Sequence, residues 1–129
     1  MPRFPKMVLI VDDNRDAADT LAALIRFKGH RASVAYDADT GFRIAERSAP
    51  DIILHDIAMP VVDGYAAARR LRSEAQFLKT LMVAVTAHNT PSDRQLAKEA
   101  GYDLHLAKPV DFEVLDEILN RRAADASDA

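Results

Sequence analysis

A short apolar run followed by an amphipathic stretch recurs five times along this chain, and that alternation most narrows what it can fold into. Met7-Val8-Leu9-Ile10-Val11 is rich in β-branched residues, reads as a buried strand and stops abruptly at Asp12-Asp13. Arg31 to Tyr36 alternates weakly as a second strand. Ile52-Ile53-Leu54 is a third, bounded by Pro50-Asp51 and Met59-Pro60, and it delivers His55 and Asp56 to its end. Leu81 to Val85 is a fourth, ending in Thr86, and Asp103 to Ala107 a short fifth, followed by Lys108-Pro109. Five strands, each followed by a helix, imply an α/β fold: one doubly wound parallel sheet of right-handed crossovers with helices on both faces. Two strand orders are common for such sheets, and periodicity leaves both open.

The helices carry their own punctuation. Asn14 caps the first, in which Ala17, Leu21, Leu24 and Ile25 recur at helical spacing before Gly29 stops it. Asp37 caps the second, which puts Ala38, Phe42 and Ala45 on one side and runs to about Ser48, where Ala49-Pro50 closes it. Asp63 is the expected cap of a third helix through Arg72, with Gly64 turning the loop into it. Thr90-Pro91-Ser92-Asp93 combines a hydroxyl cap, a first-turn proline and an acid three residues on, and the helix it starts stops at Gly101. Phe112, Leu115, Ile118 and Leu119 mark the last helix; its acids Glu113, Asp116 and Glu117 precede Arg121 and Arg122, which suits the helix dipole. The expected division is a loose arm over 1–6, one domain over 7–122 and a frayed tail over 123–129.

Composition narrows the function classes. The 129 residues contain no cysteine, which excludes disulfides, thiolate chemistry and cysteine-based zinc sites. A net charge of -3 gives no electrostatic footprint for nucleic acid or an anionic membrane, and the longest early apolar run is too short for a span or signal peptide. The expected location is cytoplasmic. The four glycines (Gly29, Gly41, Gly64, Gly101) do not cluster into a phosphate-cradling loop, which argues against a cofactor-binding module.

What remains is chemistry at one rim. All five strands point their C-terminal ends the same way, where open α/β sheets bind ligands. The first brings Asp12 and Asp13, the third Asp56, the fourth Thr86 and the fifth Lys108. Each has a bland reading alone: the acids as caps and turns, the threonine and lysine as structural or solvated groups. Their joint arrival carries the functional one. Two unit charges ~4 Å apart cost about 4 kcal/mol at an effective dielectric of about 20, so one carboxyl is protonated or a cation sits among them. An oxygen-rich set suits Mg²⁺, with Asp13 and Asp56 as direct ligands, Asp12 acting partly through water and the backbone carbonyl of Ala58 within reach. Metal, lysine and hydroxyl together suit a phosphoryl group, and an ionised carboxylate attacks phosphorus without a general base. The resulting acyl phosphate is labile, as an erasable signal must be.

The set Asp12-Asp13, Asp56-Ile57-Ala58-Met59-Pro60 with Asp63-Gly64, Thr86-Ala87 and Lys108-Pro109 resembles the receiver domain of two-component response regulators, over about Met7 to Arg122. The resemblance implies the flavodoxin-like strand order 2-1-3-4-5, and Mg²⁺-dependent phosphorylation of Asp56 by a histidine kinase or histidine phosphotransfer protein. It implies a cis Lys108-Pro109 peptide and a switch in which Thr86 moves toward the phosphoryl oxygens while an aromatic residue on the fifth strand turns inward. That position is His105 here, facing away from Lys108 by strand alternation. It is a smaller rotor than tyrosine or phenylalanine and a titratable one. Ala58 and His88, each two residues beyond a site residue, are expected to modulate water access. His30 and His55 read as ordinary, His55 alternating away from Asp56.

Two rivals use the same residues. A haloacid-dehalogenase-like phosphatase also has an aspartate nucleophile and Mg²⁺, but at the end of its first strand in an Asp-x-Asp motif, with a cap insertion this chain has no room for. A receiver-like interaction module working without phosphate would not need Asp12, Asp13, Asp56, Thr86 and Lys108 together. The expected function is therefore a phosphoacceptor that turns over no external substrate and acts on a downstream protein, with weak homodimerisation open. The Gly101 to Asp111 segment resembles receivers attached to hybrid histidine kinases, so a stand-alone regulator and a part of a larger protein both fit.

Overall fold

The computed structural model describes residues 4–57, 64–87 and 90–121. The elements run β1 (Met7–Val11), α1 (Arg15–Phe27), β2 (Arg31–Ala35), α2 (Ala38–Ser48), β3 (Ile52–Asp56), α3 (Gly64–Arg72), β4 (Leu81–Thr86), α4 (Pro91–Ala100), β5 (Leu104–Ala107) and α5 (Phe112–Leu119), with a 3-10 turn at Ala75–Phe77. The strands form one parallel sheet in the order β2-β1-β3-β4-β5. The α/β doubly wound sheet and its flavodoxin-like order are as expected; the 3-10 turn is an element that apolar periodicity does not announce.

Strand alternation sorts the core into two layers. Val8, Ile10, Ile52, Leu54, Leu81, Val83 and Val85 pack against Ala18, Ala22 and Ile25 of α1 and Leu115, Ile118 and Leu119 of α5. Leu9, Val11, Ile53, Met82 and Ala84 face the other way, onto Phe42 and Ala45 of α2, Ala68 and Leu71 of α3, and Ala97 and Ala100 of α4. β3 and β4 are buried along their whole length, which is why their sequences are continuous apolar runs and not alternating ones.

The caps fix where each helix leaves the rim. Asn14 accepts from the Ala17 amide and Asp37 from the Thr40 amide, and Thr90 with Asp93 forms a full capping box ahead of Pro91. Asp111, which the sequence reading does not single out as a cap, starts α5 by accepting from the amides of Glu113 and Val114. At the other ends Gly101 (φ +117°) and Ala49 (φ +46°) turn left-handed. The expected cap Asp63, the Met59-Pro60 turn and the outer residues of the two expected tails lie outside the described residues.

Candidate functional site

Register alone brings the acids together. Val11 pairs with His55, so the next residues, Asp12 and Asp56, emerge side by side from adjacent parallel strands. Thr86 pairs with Ala107, so Lys108 leaves β5 beside the end of β4, and its amide donates to the Thr86 carbonyl at 2.9 Å. Lys108 Nζ then reaches across the rim to Asp56 Oδ2 at 3.1 Å and Asp12 Oδ2 at 3.3 Å. The Lys108-Pro109 peptide is cis. Asp12 also accepts the Asn14 amide at 2.9 Å, which fixes the turn from β1 into α1.

Burial sharpens this cluster. Asp12 and Asp56 are 7% and 6% exposed, Thr86 is fully buried, and Asp13 stands open to solvent. Burial holds the Asp12 carboxyl above the ordinary carboxylate range; the charge of Asp56 adds to the rise, against the Asn14 amide and the Lys108 ammonium. Burial also disfavours the Lys108 charge, but the hydrogen bond and charge of Asp56, with Asp12 behind it, outweigh that and raise the ammonium above its usual value. Among the described residues the rim thus sets three carboxylates around one ammonium.

Asp12, Asp13 and Asp56 present carboxylate oxygens that all lie within 4.8 Å of one another. Mg²⁺ takes oxygens at about 2.1 Å in octahedral geometry, so opposite ligands stand about 4.2 Å apart. An all-oxygen set of this span fits Mg²⁺ with a small inward shift of the side chains. The Ala58 carbonyl, expected as a further ligand, and His88 lie outside the described residues.

His105 pairs with Ala84, and neighbours across a parallel ladder point to the same face. His105 therefore shares the face of Ala84 and Thr86, opposite to that of Lys108, with only a methyl side chain next to it on β4. It is half-buried at the sheet edge, bordering a hollow of about 430 Å³ between β5 and α5.

Two residues in or near this region carry more than their sequence reading. His55 is 2% exposed; its Nδ1 lies 3.0 Å from the Asp56 carbonyl oxygen and its ring meets Tyr102 edge-on. Alternation does turn it away from the rim, but it holds the backbone of the residue beside it. The signal was a lone imidazole inside a run that is otherwise apolar. Arg72 donates to the carbonyls of Gly101 (2.8 Å), Phe77 (2.8 Å) and Thr80 (3.0 Å) and pairs with Asp103, tying α3 to the approaches of β4 and β5.

The response regulator receiver domain family matches residues 8–120. Protein PilH of Pseudomonas aeruginosa is 33% identical over 113 residues, covering 88% of this chain and 93% of PilH, whereas some longer relatives are matched over half of their length or less. The chemotaxis protein CheY4 of Vibrio cholerae superposes with a TM-score of 0.85 at 26% identity, covering 92% of this chain and 98% of that one. The receiver domain of a Pseudomonas aeruginosa sensor histidine kinase, with a magnesium ion coordinated in its active site cleft, gives 0.82 at 33% identity, covering 94% and 99%. No helix among the described residues is long and apolar enough to cross a membrane. Sheet order, rim and relatives agree: this chain belongs to the response regulator receiver domain family of two-component signalling.

Proposed function

We propose that Asp56 accepts a phosphoryl group from a phosphohistidine on a histidine kinase or histidine phosphotransfer protein, and that the acyl phosphate so formed switches a protein-binding surface. The observation that carries this reading is the Lys108 ammonium bridging Asp56 and Asp12 inside a three-carboxylate rim. An Asp56 carboxylate oxygen attacks phosphorus in line with the P–N bond; that bond breaks and its electron pair leaves on the donor imidazole nitrogen. Lys108, already 3.1 Å from Asp56, offsets charge on the transferring oxygens with little movement. Asp12, Asp13 and Asp56 would hold Mg²⁺, which supplies charge neutralisation for a phosphoryl group when bound. The shallow exposure of Asp56 and Asp12 limits the water that reaches the site.

Phosphorylation adds roughly -1.5 to -2 charges and new acceptor oxygens at the end of β3, next to the strand that ends in Thr86. In the reading we favour, the Thr86 hydroxyl turns to those oxygens and the volume it leaves on the α4 face is taken by His105. Support comes from the register, which puts the small Ala84 between them in the path of that motion.

Incubation with a small acyl-phosphate donor and Mg²⁺, followed by intact mass, tests the reading. One added phosphoryl group, about 80 Da, is expected on the wild type and absent from Asp56→Asn and from chelated samples. No adduct on the wild type, or an adduct that persists in Asp56→Asn, would overturn it.

A further inference from the structure

The peptide group that follows Asp56 is held from both sides. Its amide, Ile57 N, donates to the Val85 carbonyl of β4 at 3.2 Å, and its carbonyl, Asp56 O, lies 3.0 Å from His55 Nδ1. A carbonyl only accepts, so Nδ1 donates. A neutral ring with its proton on Nδ1 and a charged ring both donate there, so the contact does not depend on the charge of the ring. A peptide group is planar, and holding its amide and its carbonyl fixes that plane. The plane sets ψ of Asp56 and the direction in which the chain leaves β3.

The imidazole is itself fixed in place. His55 is 2% exposed, stands between Val11 of β1 and Ala84 of β4 in the two ladders, and meets the Tyr102 ring edge-on with centroids 6.3 Å apart. Packing alone does not call for an imidazole here, since the residues before it in β3 are Ile52, Ile53 and Leu54 and are equally buried. What a leucine at this position would lack is the N–H directed at the Asp56 carbonyl. A packed ring on a rigid strand can hold a neighbouring group in one geometry.

We propose that His55 is a positioning residue for phosphoryl transfer: by donating to the Asp56 carbonyl it fixes the backbone from which the Asp56 carboxylate hangs, and so holds that carboxylate in line for attack. The proposal rests on the reading of Asp56 as the phosphoacceptor. Lys108 steadies Asp56 from the side-chain end, at 3.1 Å, and His55 from the main-chain end. In-line attack is sensitive to such alignment, because a misplacement of about 1 Å can cost about 10²-fold in rate. His55 faces away from the rim and touches neither the donor nor the attacking oxygen. Its loss therefore lowers the rate of transfer and leaves donor binding as it was.

The test measures phosphoryl uptake from a small acyl-phosphate donor with saturating Mg²⁺, per folded molecule, in the wild type, His55→Leu and His55→Asn. Asparagine keeps an N–H at the same remove from Cβ as Nδ1, whereas leucine keeps the bulk and loses the donor. His55→Leu should slow the maximal rate about ten-fold at an unchanged half-saturating donor concentration, and His55→Asn should recover it to within about three-fold of wild type. A role in packing alone gives the opposite order, because leucine is the better core residue. NMR of the wild-type imidazole, which needs no variant to fold, should find a slowly exchanging proton on Nδ1. His55→Leu as fast as wild type, His55→Asn no faster than His55→Leu, or an Nδ1 without its proton would overturn the proposal. No adduct on the wild type would overturn it together with the phosphoacceptor reading, and that result is distinguishable because it precedes any comparison of variants.

Discussion

The two ends of the same sheet use polar side chains in opposite ways. Where strands begin, each polar group is matched to backbone: His30 before β2 accepts the Lys6 amide at 2.9 Å, and Asp51 before β3 accepts the Met7 amide at 2.8 Å. Thr80 before β4 donates to the Pro50 carbonyl at 3.1 Å, and Asp103 before β5 accepts the Met82 amide at 2.8 Å. Where strands end, Asp12, Asp56 and Lys108 pair with one another, with three acids to one cation among the described residues. A satisfied polar group stabilises and leaves nothing over for a ligand. A cluster short of counter-charge is less stable and has capacity to bind. The same structural position, one residue off a strand, thus serves folding at one end and chemistry at the other.

Removing Lys108 should break the comparison most visibly. Lys108→Ala takes the one ammonium from the three carboxylates, and phosphoryl uptake from an acyl-phosphate donor should slow by about 10²- to 10³-fold, as loss of an electrostatic stabiliser does elsewhere. Stability should fall as well, and Mg²⁺ should raise the melting temperature of the variant more than that of the wild type, since the ion no longer competes with a fixed positive charge. A variant whose uptake is near wild type, or whose melting ignores Mg²⁺, would show that the rim is not short of charge in the way proposed.

At the other end the opposite pattern is expected. Asp103→Ala strands the Met82 amide and removes the carboxylate partner of Arg72, though that guanidinium keeps its backbone carbonyls. Unfolding in urea should lose about 2 kcal/mol. Below the melting transition, phosphoryl uptake per folded molecule should stay within about two-fold, because Asp103 is at the far end of the sheet from Asp56. A large loss of uptake in fully folded protein would mean that the two ends are coupled.

The rim was legible in the sequence because its signals are local. A carboxylate or lysine that ends an apolar run is visible as such, and parallel strands line up their ends by construction. The caps Asn14, Asp37 and Thr90 with Asp93 were legible for the same reason, since each bonds within three residues of itself. The strand order came from resemblance, because alternation along a strand carries no information about which strand lies beside it. The starts of the strands were not legible. Asp51 bonds across 44 residues, His30 across 24 and Arg72 reaches Asp103 across 31, and no periodicity records such pairings. His55 falls between: its type was conspicuous, but its bond to the next residue's carbonyl depends on a rotamer that sequence does not fix.

The smallest expected effect tests whether a strand-start contact has a pH signature of its own. His30 accepts the Lys6 amide through Nδ1, which it can do only without a proton there. Burial pushes its pKa below the ordinary 6.5, and the charges of Lys6 and Lys28 outweigh the opposing pull of Asp116. Between the two values the unfolded chain binds the proton and the folded chain does not, so stability is present above about pH 6.5 and is lost as pH falls toward the folded value. Melting temperature should therefore drop between about pH 7.5 and pH 5.5. In His30→Gln, whose amide oxygen still accepts from Lys6, the drop should be smaller but not absent, since buried His55 is shifted in the same direction. An identical pH slope in the two proteins would assign the effect to His55 alone and leave the Lys6 contact indifferent to protonation.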